Sequence, residues 1–478
     1  MSYLISGYEC KRAFEIFEDI CKIPHGSGNE SGVADYIEGF AKNLGLECYR
    51  DNTGNVFVTK AASKGYENVP AVLLQGHMDM VCEKNSDSTH NFETDALDLF
   101  VENGLLGARG TSLGGDNGIA VAMMLAILEG DDHPALECLF TVEEETGLAG
   151  AKGFDCSKIM AKRMINLDSE EEDTVTAGCA GGVRTEVVFG AQQVDLQAER
   201  EAVIVNVTGL CGGHSGADIH TSRSNAIVLL ARILQRALSE QRIWLCSVTG
   251  GGKDNAIARE SSASVLCEDA KRFVDCVKDE AENIRKELCA LDSGFEVDIS
   301  YGTADRCFKL KDTQSIIGFM SLVKTGVIKY SNDIDGLVEC SRNLGIAETK
   351  NGKVKLTLSS RSSIEAQIDN CIRELDALAF LANAQSRHYS RYPGWEFNSQ
   401  SPLREQYLDT YESVFGVRPK VSVIHAGLEC GIISSKTEGL DIISIGPNMY
   451  DIHSPAERLS LSSCEHIWKV MKAFLAHR

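Results

Sequence analysis

Basic residues are scarce for a chain of this size: 47 lysines and arginines face 69 aspartates and glutamates among 478 residues, a formal charge of -22. That balance excludes a nucleic-acid binder, which needs cations to replace phosphate counterions, and argues against docking on anionic membranes. Proline is rare too, with 8 residues, and no Pro-, Gly- or Ser-rich linker divides the chain. Nowhere do 18 apolar residues run together, and the first residues lack a basic stretch leading into an apolar one. Neither a spanning helix nor a targeting signal is therefore expected, and the expected location is the cytoplasm. Cys-x-x-Cys is absent. The 17 cysteines, an odd count, are scattered singly, several inside apolar runs (Cys138, Cys246, Cys267, Cys340). This excludes a thiolate cluster or disulfide framework and suits buried thiols in a reducing compartment.

What is present is an ordinary globular composition, 43% apolar and 24% charged, in a chain long enough for two or three domains. Helical periodicity over residues 10–21 and 32–44 alternates with strand patterns at 55–59 and 71–75. An apolar helix over 117–129 is followed by strands at 138–142 and 164–167. This rhythm predicts an α/β layered domain with a largely buried sheet.

The character changes near Val183. One set of elements comprises strands at 203–207, 243–248, 262–267 and 295–301 with helices at 224–241 and 269–291. A second comprises helices at 313–322 and 364–385 with strands at 337–341, 354–360 and 395–397. Two similar sets predict an inserted α+β domain, and suggest that it is doubled. From about Ser399 the first pattern returns, with helices at 405–415 and 460–476 and strands at 420–424 and 441–445. The expected organisation is a discontinuous domain, residues 1–182 and 394–478, interrupted by residues 183–393.

Five segments then place acidic or imidazole side chains where a strand meets a loop: His77 and Asp79, Asp116, Glu144 and Glu145, Asp168, and His453. In open α/β sheets, sites form at the carboxyl ends of strands. In His77-x-Asp79 the two side chains share a strand face, so one can ligate a metal while the other orients it. A set of imidazoles and carboxylates suits zinc and tolerates manganese or cobalt. About that many ligands would hold two ions sharing a carboxylate. Of the adjacent pair Glu144 and Glu145, one can bind metal while the other acts as general base.

Each element also has a plainer explanation. Asp116 could cap the following helix, a lone His77 or His453 could be structural, and residues 170–172 read better as a solvated acidic run. The loop Gly110-Thr-Ser-Leu-Gly-Gly lacks both phosphate-loop spacings, as does Gly250-Gly-Gly-Lys253, so both are read as turns. The five segments taken together favour a metal site.

The words that carry these residues resemble the dinuclear zinc peptidases of the glutamate carboxypeptidase and aminoacylase superfamily. They are Gln75-Gly-His-Met-Asp-Met-Val, Gly110-Thr-Ser-Leu-Gly-Gly-Asp-Asn-Gly, Glu144-Glu-Thr-Gly, Asn166-Leu-Asp-Ser-Glu-Glu-Glu and His453-Ser-Pro-x-Glu. Gly209-Leu-Cys-Gly-Gly-His-Ser-Gly and Ile424-His-Ala-Gly-Leu-Glu-Cys-Gly resemble its dipeptidase branch.

The resemblance implies a three-layer α/β/α catalytic domain with an inserted α+β lid, and two zinc ions (manganese or cobalt being alternatives). It implies one metal on His77, Asp116 and Asp168 and the other on Asp116, Glu145 and His453. Glu144 would be the general base, Asp79 the residue orienting His77, and His214 a lid residue stabilising the oxyanion. Asn255, Arg361, His425 and Gly427 would contact the substrate, a small peptide. The implied reaction is hydrolysis of dipeptides, including those ending in histidine such as carnosine. Alternatives are a related tripeptidase, carboxypeptidase or N-acyl amino acid deacylase, or a non-catalytic binding protein on the same fold. A homodimer stays open: a doubled lid lets His214 act within its own chain, whereas a compact lid requires a partner.

Overall fold

The computed structural model describes residues 3–332 and 334–478. The chain divides into two compact units. One runs to Cys179 and resumes over Trp395–Val423 and Leu428–Arg478; the other takes Ala180–Gly394 and Ile424–Gly427. Among the described residues, no helix is long and apolar enough to cross a membrane.

The first unit is built on an eight-stranded sheet. Its order is Glu47–Arg50, Val56–Lys60, Leu136–Thr141, Val72–His77, Arg163–Asn166, Asp441–Ser444, Thr174–Cys179 and Lys420–Ile424. Leu136–Thr141, Val72–His77, Arg163–Asn166 and Asp441–Ser444 run parallel, so their carboxyl ends lie at one edge of the sheet. Every residue of Val72–His77 is buried, as expected where helices cover both faces. Val72 and Leu74 join the core shared by Lys11–Ile20, Ser31–Asn43, Gly115–Glu129 and Leu461–Leu475. Gln75, on the opposite face, meets Glu429 at the start of Glu429–Lys436. Three layers result.

Gly115–Glu129 is the central helix. Its residues from Asn117 to Leu128 are all buried, which explains why this segment is apolar all round rather than amphipathic. Close approach of this helix to the sheet requires Gly76, where a Cβ would come within 2.6 Å of Asn117 Oδ1 and 3.0 Å of Ala120 Cβ. A separate four-stranded sheet, Met449–Tyr450, Arg458–Ser460, Leu105–Ala108 and Leu99–Glu102, carries the loop that contains His453.

The second unit contains one nine-stranded antiparallel sheet in which the doubling is explicit. Val194–Thr208, Ala226–Glu240, Ile243–Gly250, Ser261–Cys267, Ala270–Glu287 and Glu296–Cys307 form a βαββαβ unit with strand order 4-1-3-2. Gly181–Phe189, Leu310–Leu322, Val338–Lys350, Lys353–Ser362, Glu365–Leu381 and Ala384–Tyr392 form another in the same order, with the first unit inserted after its opening strand. This is the split βαβ pattern used twice. The second strands of the two halves pair edge to edge, Thr249 with Glu348 and Gly250 with Ala347, so the halves share one sheet.

Two expectations fail locally. The helix predicted over 364–385 stops at Leu381, and Ala384–Tyr392 is an edge strand; Asn383, with φ +53°, turns the chain out of the helix. Residues 395–397 are not a strand, although Trp395 makes an isolated bridge to Cys179. The 17 cysteines are all free.

Candidate metal centre

At the edge where the parallel strands end, the structure brings together His77, Asp116, Asp168, Glu145 and His453. His77 closes Val72–His77, and Asp168 lies two residues beyond Arg163–Asn166. Glu144 and Glu145 follow Leu136–Thr141. Asp116 Oδ1 lies 3.0 Å from His77 Nε2, and Asp116 Oδ2 lies 3.2 Å from His453 Nε2. His77 Nε2 is also 3.3 Å from Asp168 Oδ1, and His453 Nε2 is 2.9 Å from Glu145 Oε1. Each oxygen of Asp116 therefore faces a different histidine, and the Nε2 of each histidine faces one further carboxylate.

The Asp116 side chain is not spent on capping the helix: its two oxygens face histidines, and the N–H groups of the preceding turn are taken by Glu457. The Glu457 carboxylate accepts from the backbone N–H of Leu113, Gly114, Gly115 and Asp116 at 2.7, 3.1, 2.9 and 3.4 Å. Being only 3% exposed, it leaves Asp116 free to point elsewhere. Asn117 supports the same turn: its Oδ1 accepts the His77 N–H and its Nδ2 donates to Leu167 O.

Asp79 holds two parts of the site. His77 Nδ1 lies 3.0 Å from the Asp79 carbonyl oxygen and 3.4 Å from its carboxylate. The same carboxylate accepts the N–H groups of Glu144 and Glu145 and the hydroxyl of Ser27. Burial opposes the charge of Asp79, but its bonds to His77, Ser27 and the Glu144 N–H outweigh burial and hold it below the usual carboxylate range. Beneath the strand ends lies a buried polar floor. Glu429, fully buried, accepts from Gln75 and Thr141 at 2.6 Å each, and Asn166 donates to Gln75.

The electrostatics are those of a cluster short of positive charge. Among the described residues, no lysine or arginine pairs with Asp116, Glu145 or Asp168; their ionic partners are the two histidines. Burial pushes Asp168 up to about 7. It also raises Glu144 well above the ordinary value; His77 opposes that shift, and Asp168, Glu429 and Glu145 add to it. His453 is raised to about 10 by its bonds to Asp116 and Glu145. Two imidazoles and three carboxylates form a donor set that fits divalent zinc, manganese or cobalt. His77, Asp116 and Glu145 offer ligand atoms all within 4.8 Å of one another, close enough to hold a metal ion.

The remaining candidates gather in the second unit. His214 pairs with Ala256, and Ser215 N–H donates to Asn255 O. His214 Nδ1 accepts the N–H of Ala217 at 3.1 Å, which leaves Nε2 as the protonated, donating nitrogen. A Cβ on Gly216 would meet the His425 carbonyl oxygen at 2.5 Å and the His214 ring at 3.0 Å. Arg361 is 9% exposed; its Nη1 reaches the Tyr392 hydroxyl, and its Nε has no partner. Gly427 packs against the Tyr392 ring, where a Cβ would come within 2.9 Å. Enclosure, followed by the Arg361 charge, lowers both histidines, His425 to about 3. His425 Nε2 is 2.7 Å from Ser341 Oγ.

Gln75, Asn117, Glu429 and Glu457 sit inside the words read in the sequence, yet their roles were not legible there. Ser27 lies outside them altogether and gave no signal.

Known proteins resemble this chain in sequence and fold. Residues 73–477 match the family described as Peptidase family M20/M25/M40. The chain is 35% identical over 469 residues to the cytosol non-specific dipeptidase of Escherichia coli, covering 97% of this chain and 96% of that protein. It superposes on the crystal structure of aminoacylhistidine dipeptidase from Vibrio alginolyticus with a TM-score of 0.91 and 34% identity, over 99% of both chains. Aminopeptidase PepT from Bacillus cereus, at 15% identity and a TM-score of 0.57 over 98% of both chains, shares the fold. The chain is thus a peptidase, a hydrolase acting on peptide bonds. It belongs to peptidase family M20/M25/M40.

Proposed function

We propose that this protein is a cytoplasmic, metal-dependent dipeptidase whose substrates include dipeptides ending in histidine. The observation that carries the reading is Asp116, whose two carboxylate oxygens face separate histidines. Such a carboxylate can bridge two ions. One would rest on His77, Asp116 and Asp168, and the other on Asp116, Glu145 and His453, with zinc the favoured metal. When bound, paired divalent ions polarise the scissile carbonyl and make a water acidic enough to attack near neutral pH.

The side chains supply the rest. Asp79 fixes the His77 ring and the backbone of the Glu144-Glu145 pair. Glu144 takes a proton from the attacking water and returns it to the leaving amine. His214, held neutral with its proton on Nε2, donates to the developing oxyanion. Arg361, nearly buried and with an unpartnered Nε, is suited to grip the substrate carboxylate. Asn255, His425 and Gly427 line the place for the C-terminal residue.

The test is a substrate panel: Xaa-His and other dipeptides, tripeptides, and N-acetyl amino acids, each with reconstituted metal. Turnover confined to dipeptides supports the reading. Hydrolysis of tripeptides or N-acetyl amino acids, with dipeptides untouched, overturns it.

A further inference from the structure

Residues 211–224, which carry His214 in the second unit, are held by three charged side chains that the proposed reaction does not use. At the base of this segment lies Asp292, fully buried. Its carboxylate accepts the N–H of Cys211 at 3.0 Å and of Ser224 at 2.7 Å, so one residue ties both ends of the segment together. Burial opposes the charge of Asp292, but these bonds outweigh it and hold the group below the usual carboxylate range.

Above that base, residues 214–218 close a ring of their own. His214 N–H donates to Asp218 Oδ2 at 2.8 Å, and Asp218 N–H donates back to His214 O at 3.0 Å. The turn so formed presents the N–H groups of Gly216 and Ala217 to His214 Nδ1, at 3.3 and 3.1 Å. Backbone donors therefore fix both the direction of the imidazole and its tautomer, with the proton on Nε2. Arg223 braces this turn from outside. Its Nη2 lies 3.0 Å from Asp218 Oδ1, and its Nη1 donates to Gly212 O at 2.8 Å. One guanidinium thus spans Gly213, the residue before His214. Gly213 has φ +142°, and a Cβ there would collide with both Arg223 Nη1 and Asp218 Oδ2. The pair closes directly on the backbone that leads into the imidazole. A planar fork with fixed N–H directions suits this task, whereas an ammonium on a flexible stem does not hold two acceptors in one plane.

We propose that Asp218 and Arg223 are positioning residues: they act on turnover through the orientation and tautomer of His214. The proposal rests on the reading of His214 as the oxyanion donor. A partly exposed ion pair contributes little to stability in its own right, and Asp292 already closes the segment. What the pair adds is a fixed place for the ring, and a donor accelerates a reaction only where it is aimed in advance at the developing charge.

The experiment is a double-mutant cycle on Gly-His hydrolysis by the full-length, metal-loaded protein. Arg223→Gln and Asp218→Asn are made alone and in a His214→Ala background, with circular dichroism and thermal melting on every variant. Alone, each is expected to lower kcat by roughly 10–100-fold, the scale of a small misplacement of a group at the reacting centre. KM is expected to stay within about twofold, as for an interaction made only in the transition state. His214→Ala itself is expected to lower kcat by about 10²–10³, as for loss of one oxyanion donor. In that background neither change should lower kcat by more than about a further twofold, because both act through a side chain already removed. Wild-type kcat in the single variants, a full further loss on top of His214→Ala, or unfolding of both single variants would overturn the proposal. Wild-type kcat in His214→Ala would instead contradict the oxyanion reading, and a wild type inactive on Gly-His the dipeptidase reading, so the failures are distinguishable.

Discussion

Asp79 Oδ1 accepts the backbone N–H of Glu144 at 3.0 Å. One carboxylate therefore couples the strand ending in His77 to the segment carrying Glu144 and Glu145. Replacing it with alanine leaves the Glu144 and Glu145 N–H groups and the Ser27 hydroxyl without their acceptor, at a cost of about 1–3 kcal/mol. Metal affinity or turnover of Asp79→Ala is expected to fall by about 10–100-fold, as for other groups that orient metal ligands. Competitive chelator titration and thermal melting separate the two effects. Unchanged affinity and rate would remove Asp79 from the site.

Glu457 is expected to act through Asp116. In Glu457→Gln the side chain has one acceptor oxygen where two now receive four N–H groups, and an amide donor turned toward them. The turn before Asp116 should loosen. Metal affinity is expected to weaken by about 10–100-fold while circular dichroism still reports a folded chain. Wild-type metal affinity in that variant would limit Glu457 to a purely local cap.

Glu144→Gln keeps the size of the side chain and removes the base. Metal content and KM are expected to stay near wild type, with kcat lower by about 10²–10⁴. Near-normal kcat would exclude Glu144 as the proton carrier.

His425 gives a pH prediction. Enclosure first, and then the charge of Arg361, lower it to about 3, whereas an unfolded histidine protonates near pH 6.5. Between these values the unfolded chain binds the extra proton, so acidification favours unfolding. The contribution of His425 is fully present above about pH 6.5 and is lost as pH falls toward 3, at about 1 kcal/mol per pH unit. Between pH 7 and pH 5, His425→Gln is therefore expected to lose less Tm than wild type. Equal losses would contradict the shift.

The sequence made the site unusually legible because its ligands follow apolar strands that must be buried, and strand ends in an α/β sheet converge. His77, Glu145 and Asp168 lie together in the structure for that reason, while Asp116 and His453 follow strands of the separate four-stranded sheet. Glu457 escaped because its role is to satisfy backbone N–H groups more than 300 residues earlier in the chain, a relation without a local pattern. The strand Ala384–Tyr392 was missed because helical periodicity continues past Leu381, and the boundary depends on the φ of one asparagine.

The most direct test of the account is metal titration into chelated protein, with bound metal and Gly-His hydrolysis followed together in wild type and Asp116→Ala. Wild type is expected to lose activity on chelation, to bind two ions per chain, and to recover activity with zinc, manganese or cobalt. Asp116→Ala is expected to lose both ions' tight binding and all recovery. Hydrolysis persisting in metal-free wild type, or two tightly held ions in Asp116→Ala, would contradict the central claim.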